Sequence, residues 1–570
     1  MKHLKTIASI ILAVIVLSSC NSLNKMSKNY GDVNYKVTPE VLEAHGGEVA
    51  VSITGNFPEK YFNKKATVEA TPVLVYEGGE TALEPVVLQG EDVLDNNKKI
   101  SYDGGGFSYN DVVTYSDEMK KSELVLRATA SMKNKSVSFD EVKLADGVIA
   151  TSTYVWKKPD PVLMPDKFQR ITQDSKMADI LFLINRANIR GSELQAEDIA
   201  MLKDYLKKVE EAERLEFVNS EVASYASPDG PYDFNEDLSK KRGESAERFF
   251  SRELNRAKVE AAKKEGFIQA KTTPEDWEGF KELVEKSNIE DKDLILRVLS
   301  MYSDPAVREK EIKNISAAYK VLADDILPQL RRSKIIVNVN KIGYSDEEIV
   351  DLVKNDPAQL NLEETLYAAT LFDGKEDKLK IYKMALEKEP KCVRAANNIG
   401  YMQMHLEQYE EAKASFEHAK TLYDHDAVRN NLGYANLMTG DMTKAKEYFA
   451  SVQKPGAETN AGLGIIAIVD GKYQDAVNYF GNTPSYNGAL ANLLNGDAAK
   501  AKGMLDQLDD DSAWVHYLKA IVGVHVENED YMFNNLRSAV QKEAMLKDMA
   551  KKDLEFGTYF ENETFKSIVD

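Results

Sequence analysis

Few side chains in this 570-residue sequence are of the kinds that carry out nucleophilic or metal-assisted chemistry. The chain has two cysteines, Cys20 and Cys392, and seven histidines. These residues do not form a His-Glu-x-x-His motif or a zinc-type cluster, and there is no Gly-x-Ser-x-Gly elbow, phosphate loop or dinucleotide fingerprint. His418 and His425 stand seven residues apart, which favours a solvated helix face over a pair of ligands. We therefore predict that the protein is not an enzyme and needs no metal or cofactor.

The composition is that of a folded, acidic protein. Lys and Arg number 73 against 93 Asp and Glu, a formal net charge of −20, and 43% of the residues are hydrophobic. An acidic surface repels the phosphate backbone, so nucleic acid is not expected as a partner. The length corresponds to about four folding units.

The first twenty residues have the pattern of an export signal. Lys2 and Lys5 precede an apolar stretch that ends in Leu17-Ser18-Ser19-Cys20. This ending resembles the lipobox of bacterial lipoproteins, which implies that a signal peptide (1–19) is removed and that Cys20 is lipidated; a plain secretory signal is the alternative. Several acyl chains anchor a protein stably. Asn21 follows the cysteine, which favours the outer membrane of a Gram-negative bacterium, with the protein facing the periplasm.

The sequence between residues 36 and 156 alternates apolar and polar residues. Val49, Val51 and Ile53 alternate with polar or small neighbours, and glycine pairs such as Gly46-Gly47 separate the runs. This pattern predicts an antiparallel β-sandwich, similar to immunoglobulin domains. Polar residues 20–35 before it predict a tether, and the proline-rich residues 157–166 after it predict a linker.

Residues 167–342 mix strand and helix patterns. The turn Ala226-Ser227-Pro228-Asp229-Gly230 is followed by Asn235, Leu238-Ser239 and Arg242. This arrangement resembles the signature of the OmpA-like peptidoglycan-associated domain, and it implies an α/β fold. The stretch of about 255–329 contains helical patterns and is predicted to be a helical insertion into that fold.

The OmpA-like resemblance implies a site for the zwitterionic end of the diaminopimelate side chain. In the family, an aspartate binds the ammonium group and an arginine forms a bidentate pair with the carboxylate. The arginine corresponds to Arg242, but Ser227 stands where the family has aspartate. Asp229 is the nearest replacement carboxylate. Two alternatives follow: the domain binds peptidoglycan through Ser227, Asp229 and Arg242, or it is a structural or protein-binding scaffold.

The C-terminal residues 343–570 are predicted to be entirely helical and internally repeated. Ala412, Ala445 and Ala476 follow one another at intervals of 33 and 31 residues. Each is preceded by a glycine twelve residues earlier and followed by a phenylalanine four residues later. The pattern resembles the tetratricopeptide repeat, because small residues let paired helices approach and the aromatic residue fills the groove to the next repeat. The resemblance implies an all-α solenoid whose groove binds peptides or partner helices.

Four asparagines recur on the first helices of consecutive repeats, near the positions that line such a groove: Asn397, Asn398, Asn430 and Asn431. Paired asparagines can bind a peptide backbone, and a solvated helix surface is the alternative reading.

Together these patterns predict a non-enzymatic cell-envelope lipoprotein that acts as an assembly scaffold through its repeats. Envelope proteins or peptides are the expected partners, and the OmpA-like domain contacts the cell wall or a partner. One alternative is a peptidoglycan tether between the outer membrane and the cell wall. Another is a surface-exposed lipoprotein that binds glycans or a host protein.

Overall fold

The computed structural model describes residues 22–314 and 320–570. The chain divides into two compact units. Unit 1 contains the residues up to Pro165 together with Asp373–Asp570, and unit 2 contains Asp166–Phe372. Cys20 and the predicted signal peptide lie outside the described residues.

The N-terminal part of unit 1 is an eleven-stranded sheet within the described ranges. Its strands are β1 (Asn34–Thr38), β2 (Val41–His45), β3 (Glu48–Phe57), β4 (Thr67–Tyr76), β5 (Gly79–Ala82), β6 (Val86–Gly90), β7 (Lys98–Ile100), β8 (Gly105–Thr114), β9 (Ser122–Met132), β10 (Lys135–Ser138) and β11 (Val142–Ile149).

The strand order along this sheet is β1-β3-β2-β11-β9-β4-β6-β7, with β8 beside β3, β5 beside β4 and β10 beside β9. Pairing is antiparallel except between β2 and β11 and between β6 and β7. The β-rich character of this region is confirmed. The pair formed by β2 and β11 joins all the strands into one sheet, which differs from the two sheets of the predicted sandwich.

The stretch predicted to be a tether is packed against the sheet from residue 22 onwards. Residues 22–28 are helical, and Leu23 is fully buried. The hydroxyl of Tyr61 donates to the carbonyl oxygen of Met26 at 2.9 Å. Leu23, Met26 and Tyr30 recur at helical spacing and form one apolar face inside a polar sequence. The described part of this stretch is therefore ordered, unlike the free tether that its composition predicts.

Unit 2 is built on a four-stranded mixed sheet in the order β12-β15-β13-β14. The strands are β12 (Ile171–Leu181), β13 (Leu215–Tyr225), β14 (Ile268–Thr273) and β15 (Arg332–Ile342). The described α-helices are α1 (Glu197–Glu211), α2 (Tyr232–Arg256), α3 (Trp277–Lys286), α4 (Lys292–Met301), α5 (Pro305–Asn314), α6 (Leu327–Leu330), α7 (Asp346–Asn355) and α8 (Leu362–Ala368).

The core of unit 2 joins its sheet to α1 and α2. Leu202 and Phe250 from these helices pack with Val222 and Val337 from β13 and β15. The predicted helical insertion is wrong in one respect, because β14 lies within it and pairs in parallel with β13. The remaining helices, α3 to α6, share a separate apolar cluster. A strand of six residues with mostly exposed side chains gives little periodic signal in the sequence.

The C-terminal part of unit 1 consists of helices that pack in consecutive pairs. They are α9 (Lys375–Lys388), α10 (Val393–His405), α11 (Tyr409–Leu422), α12 (Asp426–Met438), α13 (Met442–Ala450), α14 (Ala457–Val469), α15 (Tyr473–Phe480), α16 (Tyr486–Leu494), α17 (Ala498–Leu505), α18 (Ala513–His525), α19 (Glu529–Lys542), α20 (Met545–Ala550) and α21 (Glu563–Val569).

The small residues of the repeats bring paired helices into contact. A Cβ placed on Gly400 would lie 2.6 Å from Phe416 Cε1, and one on Gly433 would lie 2.5 Å from Phe449 Cε1. Both rings are buried. The predicted close approach of α10 to α11 and of α12 to α13 at glycine is therefore what the packing shows. The predicted contact of the aromatic residue with the next repeat is present for Phe449, since a Cβ placed on Gly462 of α14 would lie 2.4 Å from its Cζ.

Candidate functional site

The groove is the surface formed by α10, α12, α14 and α16, the first helices of four consecutive pairs. Asn398 and Asn431 each precede the glycine of their helix by two residues, and Asn487 precedes Ala489 in the same way. These three asparagines occupy equivalent positions in their repeats, so they lie along one line of the groove. Asn398 and Asn431 are almost completely buried.

The groove is occupied by residues 155–165 of the same chain, which we call the strap. Asn398 accepts a hydrogen bond from the backbone N–H of Met164 at 2.9 Å and donates to its carbonyl oxygen at 2.8 Å. Asn431 forms the same pair of bonds with Val162, at 2.6 and 2.8 Å. Each side-chain amide thus satisfies both polar groups of one backbone residue, as a neighbouring β-strand would.

A second pair of asparagines supports the first. Asn397 donates to the carbonyl oxygen of Val162 at 3.1 Å, and Asn430 donates to that of Asp160 at 3.4 Å. Asn431 donates to Asn397 Oδ1 at 2.9 Å, which links the two repeats. All four predicted groove asparagines therefore contact the strap or one another in the structure. A buried amide group without a hydrogen-bond partner lowers the stability of the folded state. The network therefore fixes which strap residue lies opposite each asparagine.

The sequence analysis did not single out Asn487, which holds the N-terminal end of the strap. Its amide accepts from the backbone N–H of Trp156 at 2.9 Å and donates to the carbonyl oxygen at 2.8 Å. The Trp156 ring stacks on Tyr486, with ring centroids 3.9 Å apart and an interplanar angle of 10°. The position of Asn487, two residues before the small Ala489 of the fourth repeat, is the signal that could have identified it.

The prolines suit the strap to this site. Pro159, Pro161 and Pro165 have no backbone N–H to satisfy, and their rings fix φ near −65° in an extended chain. The residues between them, Val162 and Met164, present the N–H groups that the asparagines bind. The segment predicted to be a linker is therefore a bound, extended segment in the structure.

A buried polar cluster joins the residues before the strap to the end of the repeats. Tyr154 and Tyr517 both donate to Asp553 Oδ2, at 2.7 and 2.8 Å. Burial raises the pKa of the Asp553 carboxyl, although the two phenol donors oppose that effect. Nearby, His525 contacts Glu555 at 2.7 Å, and this hydrogen bond raises the pKa of His525.

The three residues predicted to bind peptidoglycan lie in unit 2 and make internal contacts. Arg242 is fully buried, and its guanidinium donates to the carbonyl oxygens of Leu183, Arg186 and Tyr225 at 2.9 to 3.2 Å. Burial, aided by the positive charge of Arg331, lowers the pKa of Arg242 to about 10.

The turn before α2 is also internally paired. Ser227 Oγ donates to Asp229 Oδ1 at 2.6 Å, and Arg331 donates to Asp229 Oδ2 at 3.0 Å. The side chains of Arg331 and Asp229 are only 11% and 16% exposed, so this pair is shielded from solvent. Ser227, Asp229 and Arg242 thus stabilise the turn and the neighbouring loop.

Cys392 is buried and lies at the start of α10, where its sulfur accepts from the N–H of Ala395 at 3.5 Å. Residues 22–314 and 320–570 contain no group of three or more His, Cys, Asp or Glu side chains arranged to hold a metal ion. No helix in the same ranges is long and apolar enough to span a bilayer.

Comparison with known proteins supports the repeats. Residues 393–426 match the tetratricopeptide repeat family model. Over 130 residues the chain is 26% identical to BBSome complex member BBS4 of Bos taurus, a match that covers 22% of this chain and 25% of that protein. The chain thus spans about a quarter of the length of the curated relative that it matches.

Two solved structures are similar at a lower level. A tetratricopeptide repeat protein from Parabacteroides merdae is 15% identical, with a TM-score of 0.29, and the match covers 37% of this chain and 91% of that one. Yeast Tom70 is 12% identical, with a TM-score of 0.26, and the match covers 66% of this chain and 91% of that one. The family match and the repeat packing identify tetratricopeptide-type repeats in the C-terminal part of the chain.

Proposed function

We propose that the protein is a lipid-anchored scaffold of a Gram-negative cell envelope that holds partner proteins through the groove of its repeats. The supporting observation is the way in which Asn398 and Asn431 bind the strap. They contact only its backbone N–H and carbonyl groups, so the groove selects an extended conformation, whatever the side chains. A partner segment with prolines at alternate positions has the same conformation and can replace the strap.

The experiment measures this replacement with a fluorescein-labelled peptide that copies residues 155–166. Val162→Pro and Met164→Pro remove the two N–H groups donated to the asparagines, so the chain's own strap binds less tightly. We expect this variant to bind the peptide at least about tenfold more tightly than the wild type, since each lost hydrogen bond is worth about 1 kcal/mol.

Adding Asn398→Ala and Asn431→Ala to the strap variant is the control, and it abolishes peptide binding. Failure of the strap variant to bind the peptide at all contradicts a groove that accepts a segment from another chain.

The lipid anchor rests on the sequence ending in Cys20. Cells that express the protein and are fed a radiolabelled fatty acid are expected to label the wild type and Cys392→Ser but not Cys20→Ser. Equal labelling of the two cysteine variants contradicts the anchor. Protease added to intact cells then distinguishes the periplasm-facing orientation, which is protected, from the surface-exposed alternative, which is digested.

The OmpA-like domain is proposed to contact a protein partner rather than peptidoglycan. The turn motif before α2 and the mixed sheet of unit 2 support kinship with that family. The carboxylate of Asp229 and the guanidinium of Arg242, however, are engaged inside the unit. We expect the purified protein to remain in the supernatant when insoluble diaminopimelate-type peptidoglycan is pelleted. If the protein pellets with the peptidoglycan, and free diaminopimelate reverses this pelleting, the result supports the peptidoglycan tether instead.

A further inference from the structure

The strap leaves an open cavity of about 510 Å³ at the third of the four repeats. Gly462 stands two residues before Gly464, at the position that Asn398 and Asn431 hold in the preceding repeats. Glycine has no side chain to bind the strap, so this repeat has no counterpart of Asn398 and Asn431. The asparagine bond to the strap at this level is the one from Asn430 to the carbonyl oxygen of Asp160. The cavity lies between residues 156–160 of the strap and helices α14 to α16.

Several of the residues that line the cavity are aromatic or aliphatic. The stacked pair of Trp156 and Tyr486 forms one end, and Ile465 and Phe480 contribute from α14 and α15. Such a surface packs against the methylene groups of a long side chain, and aromatic faces also attract a cation.

The rim of the cavity carries an excess of negative charge. Asp160 contributes from the strap, and Asp509 and Asp510 contribute from the loop between α17 and α18. Lys158 is the single basic residue among those that line it. Burial raises the pKa of Asp160, and the nearby carboxylate of Glu458 adds to that effect. Lys158 and His405 oppose these effects. A cation in the cavity would reduce the repulsion between the carboxylates of Asp160 and Glu458.

We propose that this cavity binds a lysine or arginine side chain of a partner polypeptide. The charged end lies against Asp160, Asp509 and Asp510, and the aliphatic stem lies against Trp156 and Tyr486. This site exists only while the strap is bound, because Trp156 and Asp160 belong to the strap, so the side chain comes from a partner that lies beside the strap and does not replace it. The inference rests on the proposed function in that the partner is a polypeptide held at the repeats. It adds a preference for a side chain to a groove whose asparagines bind only backbone groups.

The test uses two labelled peptides in which glycine alternates with arginine or with its neutral isostere citrulline. Fluorescence anisotropy gives their affinities for the full chain. We expect the arginine peptide to bind at least about tenfold more tightly than the citrulline peptide, as charge-assisted hydrogen bonds predict. Asp509→Asn with Asp510→Asn removes most of that difference and keeps side-chain oxygens at both positions.

Glu410→Gln with Glu411→Gln is the matched control, because it removes the same charge from the exposed start of α11. It is expected to change the affinity less than about twofold. Ala461→Leu fills the cavity without changing any charge and is expected to weaken the arginine peptide as much as the aspartate variant does.

Equal binding of the two peptides overturns the proposal, as does an equal loss in the control pair, which would indicate general attraction to an acidic surface. An unaltered affinity in Ala461→Leu also overturns it. Thermal unfolding confirms that each variant is folded. The strap peptide can bind the strap variant as described above while the arginine peptide binds no more tightly than the citrulline peptide. In that case the assignment of the cavity fails and the proposed function of the groove stands.

Discussion

The side-chain amide of Asn398 and the backbone of Met164, 234 residues earlier in the chain, exchange two hydrogen bonds of 2.9 and 2.8 Å. The same relationship joins Asn431 to Val162. These contacts make the strap part of the repeat structure, and they allow its contribution to be measured one asparagine at a time.

Replacing Asn398 and Asn431 with alanine is expected to release the strap. Each substitution removes two hydrogen bonds to the strap, together with the bonds to neighbouring asparagines, and lowers the free energy of unfolding by about 1–3 kcal/mol. Hydrogen–deuterium exchange of residues 155–165 reports the release directly. Asn534→Ala, on the exposed surface of α19, is the control and leaves the exchange of the strap unchanged.

Gly433→Ala tests the close approach of α12 and α13. The new Cβ would lie 2.5 Å from the ring of Phe449, so the helices must separate, at a cost of about 1–3 kcal/mol. Gly503→Ala in α17 has open space around its Cβ and is expected to stabilise the protein by about 0.5–1 kcal/mol. Urea unfolding of the two variants gives opposite shifts of the midpoint; shifts of the same sign contradict this account of the repeat.

Arg242→Met is expected to loosen unit 2. Three backbone carbonyl groups lose a charged donor in a buried site, which costs at least about 3 kcal/mol. Hydrogen–deuterium exchange of β13 and α2 in the full chain measures the effect. The control is Arg248→Met, since the Arg248 side chain is 69% exposed. If the two variants exchange alike, the buried hydrogen bonds of Arg242 do not stabilise unit 2.

The contact between His525 and Glu555 predicts a dependence of stability on pH. The hydrogen bond raises the pKa of His525, so the folded state binds a proton more tightly than the unfolded state. This contribution is complete below the unfolded value of about 6.5 and is lost as the pH rises through the higher folded value. We expect the free energy of unfolding to fall more between pH 6 and pH 8 in the wild type than in His525→Gln.

The control for the pH experiment is His418→Gln, an exposed position on α11, which keeps the pH dependence of the wild type. A wild-type profile that His525→Gln leaves unchanged contradicts the contribution of His525.

The repeats could be predicted from the sequence because their signal is local. Glycine, alanine and phenylalanine at fixed offsets reflect contacts between helices that are neighbours in the chain. The four groove asparagines followed from the same periodicity. Asn487 was missed because the repeat around Ala489 is irregular.

The occupant of the groove could not be predicted from the sequence. Asn431 and Val162 are 269 residues apart, and the groups that bind on the strap are backbone groups, which every residue carries. A proline-rich composition is typical of a free linker and of a bound extended segment alike. The burial of Arg242 could not be predicted from the sequence either. It depends on the carbonyl groups of Leu183 and Arg186, which lie in a loop without a recognisable motif.

The strap also fixes an order of events during synthesis. At about 5–20 residues per second, roughly 10 to 50 s pass between the appearance of Met164 and that of Asn398. Unit 2 is continuous in sequence, so it can complete its fold within that interval. Unit 1 cannot, because its strap has nothing to bind until α10 exists. A nascent chain stopped before Val393 therefore carries a finished unit 2 and an unbound strap, with the proline segment exposed to proteases and chaperones.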